Sequence, residues 1–240
     1  DHRVTSDGDV VFARLSFARG AVVPVTPLPD GSGATTGTLG PQDTTVWALA
    51  TNYRRMIGDR WRNELRAGDT RRAVSRTAVA LPTYQISGYQ LLGSPPNTAA
   101  DFSTSVTEVA DSLSWLKGRH SVKTGFDWRR ERLNIVQPPS PMGLFTFTNL
   151  FSDNPGVANT GTPLASFLLG QVQTFSIDLQ QQQIRNRASF QEYFIQDDWK
   201  ISERWTLSPG ARYTLNFPST EENNQAAVFN LETQQLDFLG

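Results

Sequence analysis

The sequence predicts an all-β fold, an antiparallel up-and-down meander of about nine long strands, and three observations carry that expectation. Apolar and polar residues alternate with a period of two in run after run. Aromatic residues are plentiful, with 6 Trp, 5 Tyr and 14 Phe, yet the mean hydropathy is negative. The links between the runs are by turns very short and very long. Alternation reconciles the first two observations, because a strand shows one apolar face and one polar face.

Taken in order, Val11, Ala13, Leu15 and Phe17 alternate with Phe12, Arg14, Ser16 and Ala18. Trp47, Leu49 and Tyr53 form the next run, and Trp61, Leu65 and Ala67 alternate with Arg62, Glu64 and Arg66. Val109, Leu113 and Trp115 alternate with Glu108, Ser112 and Ser114. Val122, Phe126 and Trp128 do so with Lys123, Gly125, Asp127 and Arg129. Phe145 and Phe147 alternate with Leu144, Thr146 and Thr148 and predict a short strand over Gly143–Asn149. Strands over about Gln171–Gln180 and Arg187–Lys200 complete the path to the clearest run, Trp205–Phe217, whose odd positions include Trp205, Leu207, Ala211, Tyr213, Leu215 and Phe217. Pro163–Gly170 reads instead as a short helical turn.

Short links lie at Gly58-Asp59-Arg60, Gly118-Arg119 and Ser202-Glu203-Arg204, and long Pro/Gly/Ser/Thr-rich ones at Gly20–Asp43 and Arg72–Ser103. A meander trimmed tight at one end and elaborated at the other is the pattern of an outer-membrane β-barrel, with short periplasmic turns and long outer loops. The runs reach about thirteen residues, more than the 9 to 11 that cross a bilayer on a tilt. If every short turn is periplasmic, Gly143–Asn149 descends, Gln171–Gln180 ascends, and Leu150–Gly170, helical turn included, lies at the periplasmic end.

Turn length fixes register. A two-residue loop at Gly118-Arg119, of type II′ with Gly first, sets Lys117 beside His120, Trp115 beside Val122, Leu113 beside Thr124 and Val109 beside Trp128. The opposite face then pairs Ser114 with Lys123, Ala110 with Asp127 and Glu108 with Arg129. The earlier hairpin needs a three-residue loop at Gly58-Asp59-Arg60, which puts Tyr53 beside Leu65, Thr51 beside Ala67 and Arg54 beside Glu64; a slip by one would exchange the faces.

The chemical inventory is thin. The chain has 240 residues with Lys plus Arg 22, Asp plus Glu 23, a formal charge of −1 and no Cys. There is no global basic field, no disulfide and no thiolate metal site. No apolar stretch reaches the length of a helical span, and Asp1-His2-Arg3 lacks the build of a signal peptide. A start without Met implies a processed piece or a fragment. His2 and His120 are a terminal and a turn residue, not a ligand pair. Asp197 and Asp198 are adjacent on a strand, so they point to opposite faces and do not flank one bond. Asp7-Gly8-Asp9 lacks the later ligands of a calcium loop, and Gly31-Ser32-Gly33 has no strand-to-helix context for phosphate. The basic clusters Arg54-Arg55, Arg71-Arg72 and Arg129-Arg130-Arg132 are interleaved with Glu64, Glu108, Asp127 and Glu131, as a mixed-charge barrel wall requires and a nucleic-acid surface does not. The expectation is a non-enzyme with no cofactor, no metal and no nucleic-acid partner.

Three blocks carry a resemblance. The stretches LSWLKGRHSVKTGFDWRR (Leu113–Arg130), ASFLLG (Ala165–Gly170) and YFIQDDWKISERWTLSPGARY (Tyr193–Tyr213) together resemble the β-barrel of TonB-dependent receptors of the Oar-like group, in the order found there. The resemblance runs from about Gly8 onward. It implies an energy-coupled transporter in the outer membrane of Gram-negative bacteria, taking up or exporting an unidentified substrate. Its partners would be membrane lipid and a TonB-type energising protein that acts through an N-terminal plug. No plug, TonB box or N-terminal module is identifiable here, so residues 1–240 are expected to be an internal section of the barrel. Pro209 stands where the family has an ordinary strand residue and is expected to cost a ladder hydrogen bond, with a bulge as one outcome. On this reading Arg54, Arg62, Glu64, Arg66, Glu108, Lys123, Asp127, Arg129 and Arg212 line the lumen. Trp61, Trp115, Phe126, Trp128, Trp205, Leu207, Tyr213 and Leu215 face lipid or its interface, and all six Trp are expected near short turns or strand ends. The rival readings are a secreted or cell-surface β-rich binding module and a glycan-processing enzyme on a β scaffold.

Overall fold

The computed structural model describes residues 2–3, 9–25, 28, 40–78, 80–157, 160–180 and 182–238. Gly31-Ser32-Gly33 and the Asp7-Gly8 half of the Asp7–Asp9 turn lie outside the described residues. In chain order the strands are β1 (His2–Arg3), β2 (Val10–Val22), β3 (Gln42–Ile57), β4 (Trp61–Arg76), β5 (Thr83–Ile86), β6 (Leu92–Gly93), β7 (Ala100–Lys117), β8 (His120–Val136) and β9 (Leu144–Phe147). After a single 3-10 turn (Asn149–Phe151) and helix α1 (Pro163–Leu168) come β10 (Thr174–Ser176), β11 (Ile184–Lys200), β12 (Thr206–Leu207), β13 (Gly210–Asn216), β14 (Thr220–Glu221), β15 (Ala227–Asn230) and β16 (Gln235–Phe238).

The fold is the expected antiparallel meander. A 10-stranded sheet follows the order β1-β2-β3-β4-β7-β8-β11, with β12, β13 and β14 laid end to end along the far side of β11. β3 and β4 have 16 residues each, β7 has 18, and β8 and β11 have 17. At roughly 3.3 Å per residue such strands run about 50 to 60 Å. They are several residues longer than the 9 to 11 that cross a bilayer on a tilt.

Both hairpin registers fall where turn length puts them. Trp115 faces Val122, Val109 faces Trp128 and Glu108 faces Arg129. Tyr53 faces Leu65, and Arg54 faces Glu64. Gly118 has φ +59° and Arg119 is not among the positive-φ residues, which is the signature of a turn that needs glycine in its first central position.

The path between β8 and β11 differs from the sequence expectation. The two strands pair directly, from Ile135 opposite Ile184 to His120 opposite Trp199. Leu144–Phe147 is a strand, but it joins a separate 4-stranded sheet of order β10-β9-β5-β6. β5 and β9 run parallel there, Thr83 opposite Leu144 and Ile86 opposite Phe147. The described residues between 137 and 183 therefore stay at the loop end and α1 lies there too, not at the periplasmic end. The parity of a meander is kept by inserting two strands or none. Direct pairing forms a long ladder between β8 and β11, whereas the two short segments have only a few rungs to offer.

Pro209 interrupts the last strand without shifting it. Trp199 faces Leu207, Gln196 faces Gly210, and the Asp197 N–H donates to the Pro209 carbonyl at 2.9 Å. The slip comes later, because Phe190 faces Asn216 but Arg187 faces Thr220, leaving one extra residue among Phe217–Ser219.

A single sheet has no layer to bury a face against, and the main sheet contributes few buried apolar side chains: Val74, Ala100 and Ala110. The denser packing is in the loop-end unit, where Ile86 and Phe147 are buried and Tyr84, Phe145, Phe147, Phe167 and Phe175 form ring contacts at 4.7 to 5.9 Å.

Candidate functional site

Strand parity sorts every side chain of the main sheet onto one of two faces. Starting from Trp61, which faces Trp115, which faces Val122, the ladder carries one face across the sheet through Tyr53, Leu65, Ala67, Val109, Phe126, Trp128, Tyr193 and Tyr213. The other face holds Arg54, Arg62, Glu64, Arg66, Glu108, Lys123, Asp127, Arg129 and Arg212, all the residues read from the sequence as the polar wall. Trp61, Trp115, Phe126, Trp128, Leu207, Tyr213 and Leu215 share the first face, while Trp205 stands just before β12 and is outside the ladder. The sheet thus has a tryptophan face and a charged face.

On the charged face most groups are tied to neighbours. The Asn52 amide donates to Glu64 at 2.7 Å, and Arg62 lies 3.9 Å from the same carboxylate. Arg212 contacts Glu192 at 3.1 Å. Arg129 faces Glu108 on the ladder, but its guanidinium turns to Glu131 at 3.2 Å and lies 4.7 Å over the Phe190 ring. Glu108, Asp127, Arg129, Phe190 and Glu192 border one hollow of about 290 Å³. A larger hollow, about 620 Å³, lies between β2 and β7 over Ala48, Ala50 and Gly68, with Arg54 and Arg66 on its border. Arg14 and Glu192 also belong to this face: Arg14 stands on the polar side of the alternation read in the sequence but is not among the residues assigned there to the wall, and Glu192 becomes visible once parity is carried from β8 into β11.

The tryptophan face is not uniformly apolar. Asn63 donates to Asp111 at 2.8 Å, between Trp61 and Leu65 on one strand and Val109 and Leu113 on the next. Tyr53 donates to Asp9 at 3.1 Å, with Arg55 at 4.0 Å. Towards the loop end Asp69 accepts from Thr107 and Arg71, both at 2.8 Å, and marks where the apolar band stops. Trp61 stacks on Trp115 at 5.5 Å, and His120 on Trp199 at 5.3 Å, beside the turns. Contrary to the expectation that all six Trp lie near short turns or strand ends, Trp47 lies well inside β3 against Phe17 at 4.5 Å and Trp128 is mid-strand, because alternation fixes a residue's face and not its depth along the strand.

His120 Nδ1 is 2.7 Å from Asp197 Oδ2 and ties the start of β8 to the end of β11. Asp197 faces Val122 and Asp198 faces Ser121, so the two carboxylates are on opposite faces. The paired arginines are split in the same way, Arg54 on the charged face and Arg55 on the other. Among the described residues no group of three or more His, Cys, Asp or Glu side chains is placed to hold a metal ion.

Compared with known families, the chain matches over residues 1–240 the model described as an outer membrane beta barrel domain. No curated protein matches the chain, and no solved structure does.

Proposed function

From a chain that belongs to the outer membrane beta barrel domain family, and so has its place in the outer membrane of Gram-negative bacteria, we propose part of the barrel wall of a TonB-dependent, Oar-like transporter. The observation that carries this reading is that Trp47, Trp61, Trp115, Trp128 and Trp199 all lie on one face of the long strands while the nine charged residues of the wall share the other, joined to a tight turn end and an elaborated loop end. The charged face, with Arg54, Arg62, Glu64, Arg66, Glu108, Lys123, Asp127, Arg129 and Arg212, lines the lumen. The tryptophan face, with Trp61, Trp115, Phe126, Trp128, Trp205, Leu207, Tyr213 and Leu215, meets lipid and its interfaces. The three sequence blocks that resemble Oar-like receptors support energy coupling over passive diffusion. The role is non-catalytic: the wall guides a solute, and an energising protein acts through a plug.

The test compares strains of the natural host lacking this gene, lacking the TonB-type energiser, or lacking both, over a panel of nutrients at limiting concentration. The transporter reading expects at least one uptake defect shared by all three strains and no larger in the double deletion. A defect of the gene deletion that persists when the energiser is already absent would make the barrel a passive pore. No uptake defect in the gene deletion would favour a surface binding module.

A further inference from the structure

The charged face treats its arginines unequally. Arg62, Arg129 and Arg212 each have a glutamate within 4 Å. Arg54 and Arg66 have no carboxylate within 4 Å among the described residues, although both attract Glu64 at longer range, and they are diagonal neighbours on adjacent strands, Arg54 facing Glu64 and Asn52 facing Arg66. Both border the hollow of about 620 Å³, which is within the roughly 300 to 1,000 Å³ of small-molecule sites. The backbone does not demand its small floor: Gly68 has an ordinary φ, and a β-carbon there would meet nothing nearer than the Leu49 carbonyl oxygen at 3.4 Å. Ala48, Ala50 and Gly68 therefore leave open a space that larger residues would fill. Phe12 and Val106 flank that floor, and Glu108 stands on the β7 side.

We propose that this hollow seats an amphipathic organic carboxylate, its anionic head on Arg54 and Arg66 and its apolar body over the alanine-glycine floor between Phe12 and Val106. Paired guanidiniums match a carboxylate in geometry and charge. Glu108 repels the head from the β7 side and so fixes which way the ligand lies. The proposal deepens the transporter reading, resting on the charged face being the water-filled one, and it names the class of solute that the wall recognises.

The test measures equilibrium binding of 2-naphthoate to the full chain in a neutral detergent, beside 2-naphthalenemethanol and 2-naphthylmethylamine in the same micelles. Saturable binding of one naphthoate per chain is expected, about tenfold or more tighter than either analogue. Arg54→Gln and Arg66→Gln should each weaken it about tenfold, Gly68→Leu should abolish it, and Lys200→Gln, at the turn end of the same face, should leave it unchanged. Absence of saturable binding to the natural chain overturns the proposal, as does equal binding of the alcohol or indifference to both arginine substitutions. Failure here is distinct from failure of the transporter reading: binding needs no energiser, and a transporter of cationic solutes would pass the strain comparison yet fail to bind naphthoate.

Discussion

The ring of Phe194 takes the space that a β-carbon on Gly125 would fill. Such an atom would lie 2.9 Å from the ring and 2.4 Å from the Asp111 carbonyl oxygen. Gly125 and Phe194 face each other across β8 and β11, and the Lys123 ammonium is 5.9 Å from the same ring. An aromatic ring laid over a strand glycine restores the packing that the missing side chain forgoes. This accounts for glycine in the middle of the run SVKTGFDW, where alternation alone asks for a polar side chain.

Gly125→Ala is expected to destabilise the sheet by about 1–3 kcal/mol through overpacking, read as a lower urea midpoint for loss of strand signal in detergent. Adding Phe194→Ala should restore part of the loss, because the ring clash is relieved while the Asp111 carbonyl remains. Full recovery in the double variant would show that the backbone contact has no weight.

The Asn63–Asp111 pair gives a second prediction, because it sits on the tryptophan face among residues proposed to meet lipid. Asn63→Leu leaves Asp111 without its 2.8 Å donor and should cost about 1–3 kcal/mol in a bilayer. Replacing both with Leu should be neutral or stabilising, since no unpaired polar group is left behind. The measurement is urea-induced unfolding from phospholipid vesicles. A double variant that inserts worse than Asn63→Leu would point to a protein neighbour at this spot in place of lipid.

Much of the sheet was legible because a period of two and a turn length together fix register, and the two-residue turn at Gly118-Arg119 alone sets Trp115 against Val122. The faces followed from the same parity, and with them the common side of the nine charged residues named for the wall, though not Glu192 beside them. What was not legible depended on contacts distant in sequence. Nothing local tells that Leu144–Phe147 prefers the parallel edge of Thr83–Ile86 to a place in the meander. A long stretch between two strands reads as hidden strands until it is seen to fold with another loop. The departure of Arg129 from Glu108 to Glu131 and Phe190 is likewise a choice among several neighbours within reach, which ladder pairing does not decide.

Tryptophan depth gives a third prediction. β3 runs from Gln42 to Ile57, and the part from Trp47 to Ile57, about ten residues at 3.3 Å tilted by roughly 40°, spans about 25 Å of membrane normal. Variants retaining a single Trp, refolded into vesicles with bromine at set depths on the acyl chains, should show shallow quenching for Trp47 and Trp115 and deeper quenching for Trp128. Trp61 should match Trp115, on which it stacks. Equal accessibility of Trp128 to an aqueous quencher would reverse the assignment of the two faces.

The last prediction concerns Glu221, beyond the apolar band at the loop end. Its side chain is fully enclosed, by its own turn and the edge of β11. Its carboxylate accepts backbone N–H groups from Gln225 at 2.7 Å, Arg185 at 2.8 Å and Asn223 at 2.9 Å. These donors, Gln225 foremost, followed by Arg185 and Asn223, with Arg187 nearby, hold its pKa below the ordinary 4.5 despite the opposing effect of burial. A depressed folded-state pKa means that the carboxylate's contribution is complete above about 4.5 and is lost as pH falls through the lower folded value. Residues 221–225 should therefore stay latched to β11 from neutral pH down to about 4.5 and come loose below that. Amide exchange at Arg185, Asn223 and Gln225 should then speed up relative to the β7–β8 ladder, after correction for the intrinsic pH dependence of exchange. Glu221→Gln keeps an acceptor oxygen but not the charge and should give intermediate protection at neutral pH, with Glu221→Ala lower still. Corrected protection that stays constant through this pH range in the natural chain would mean that the turn, and not the carboxylate, holds the segment in place.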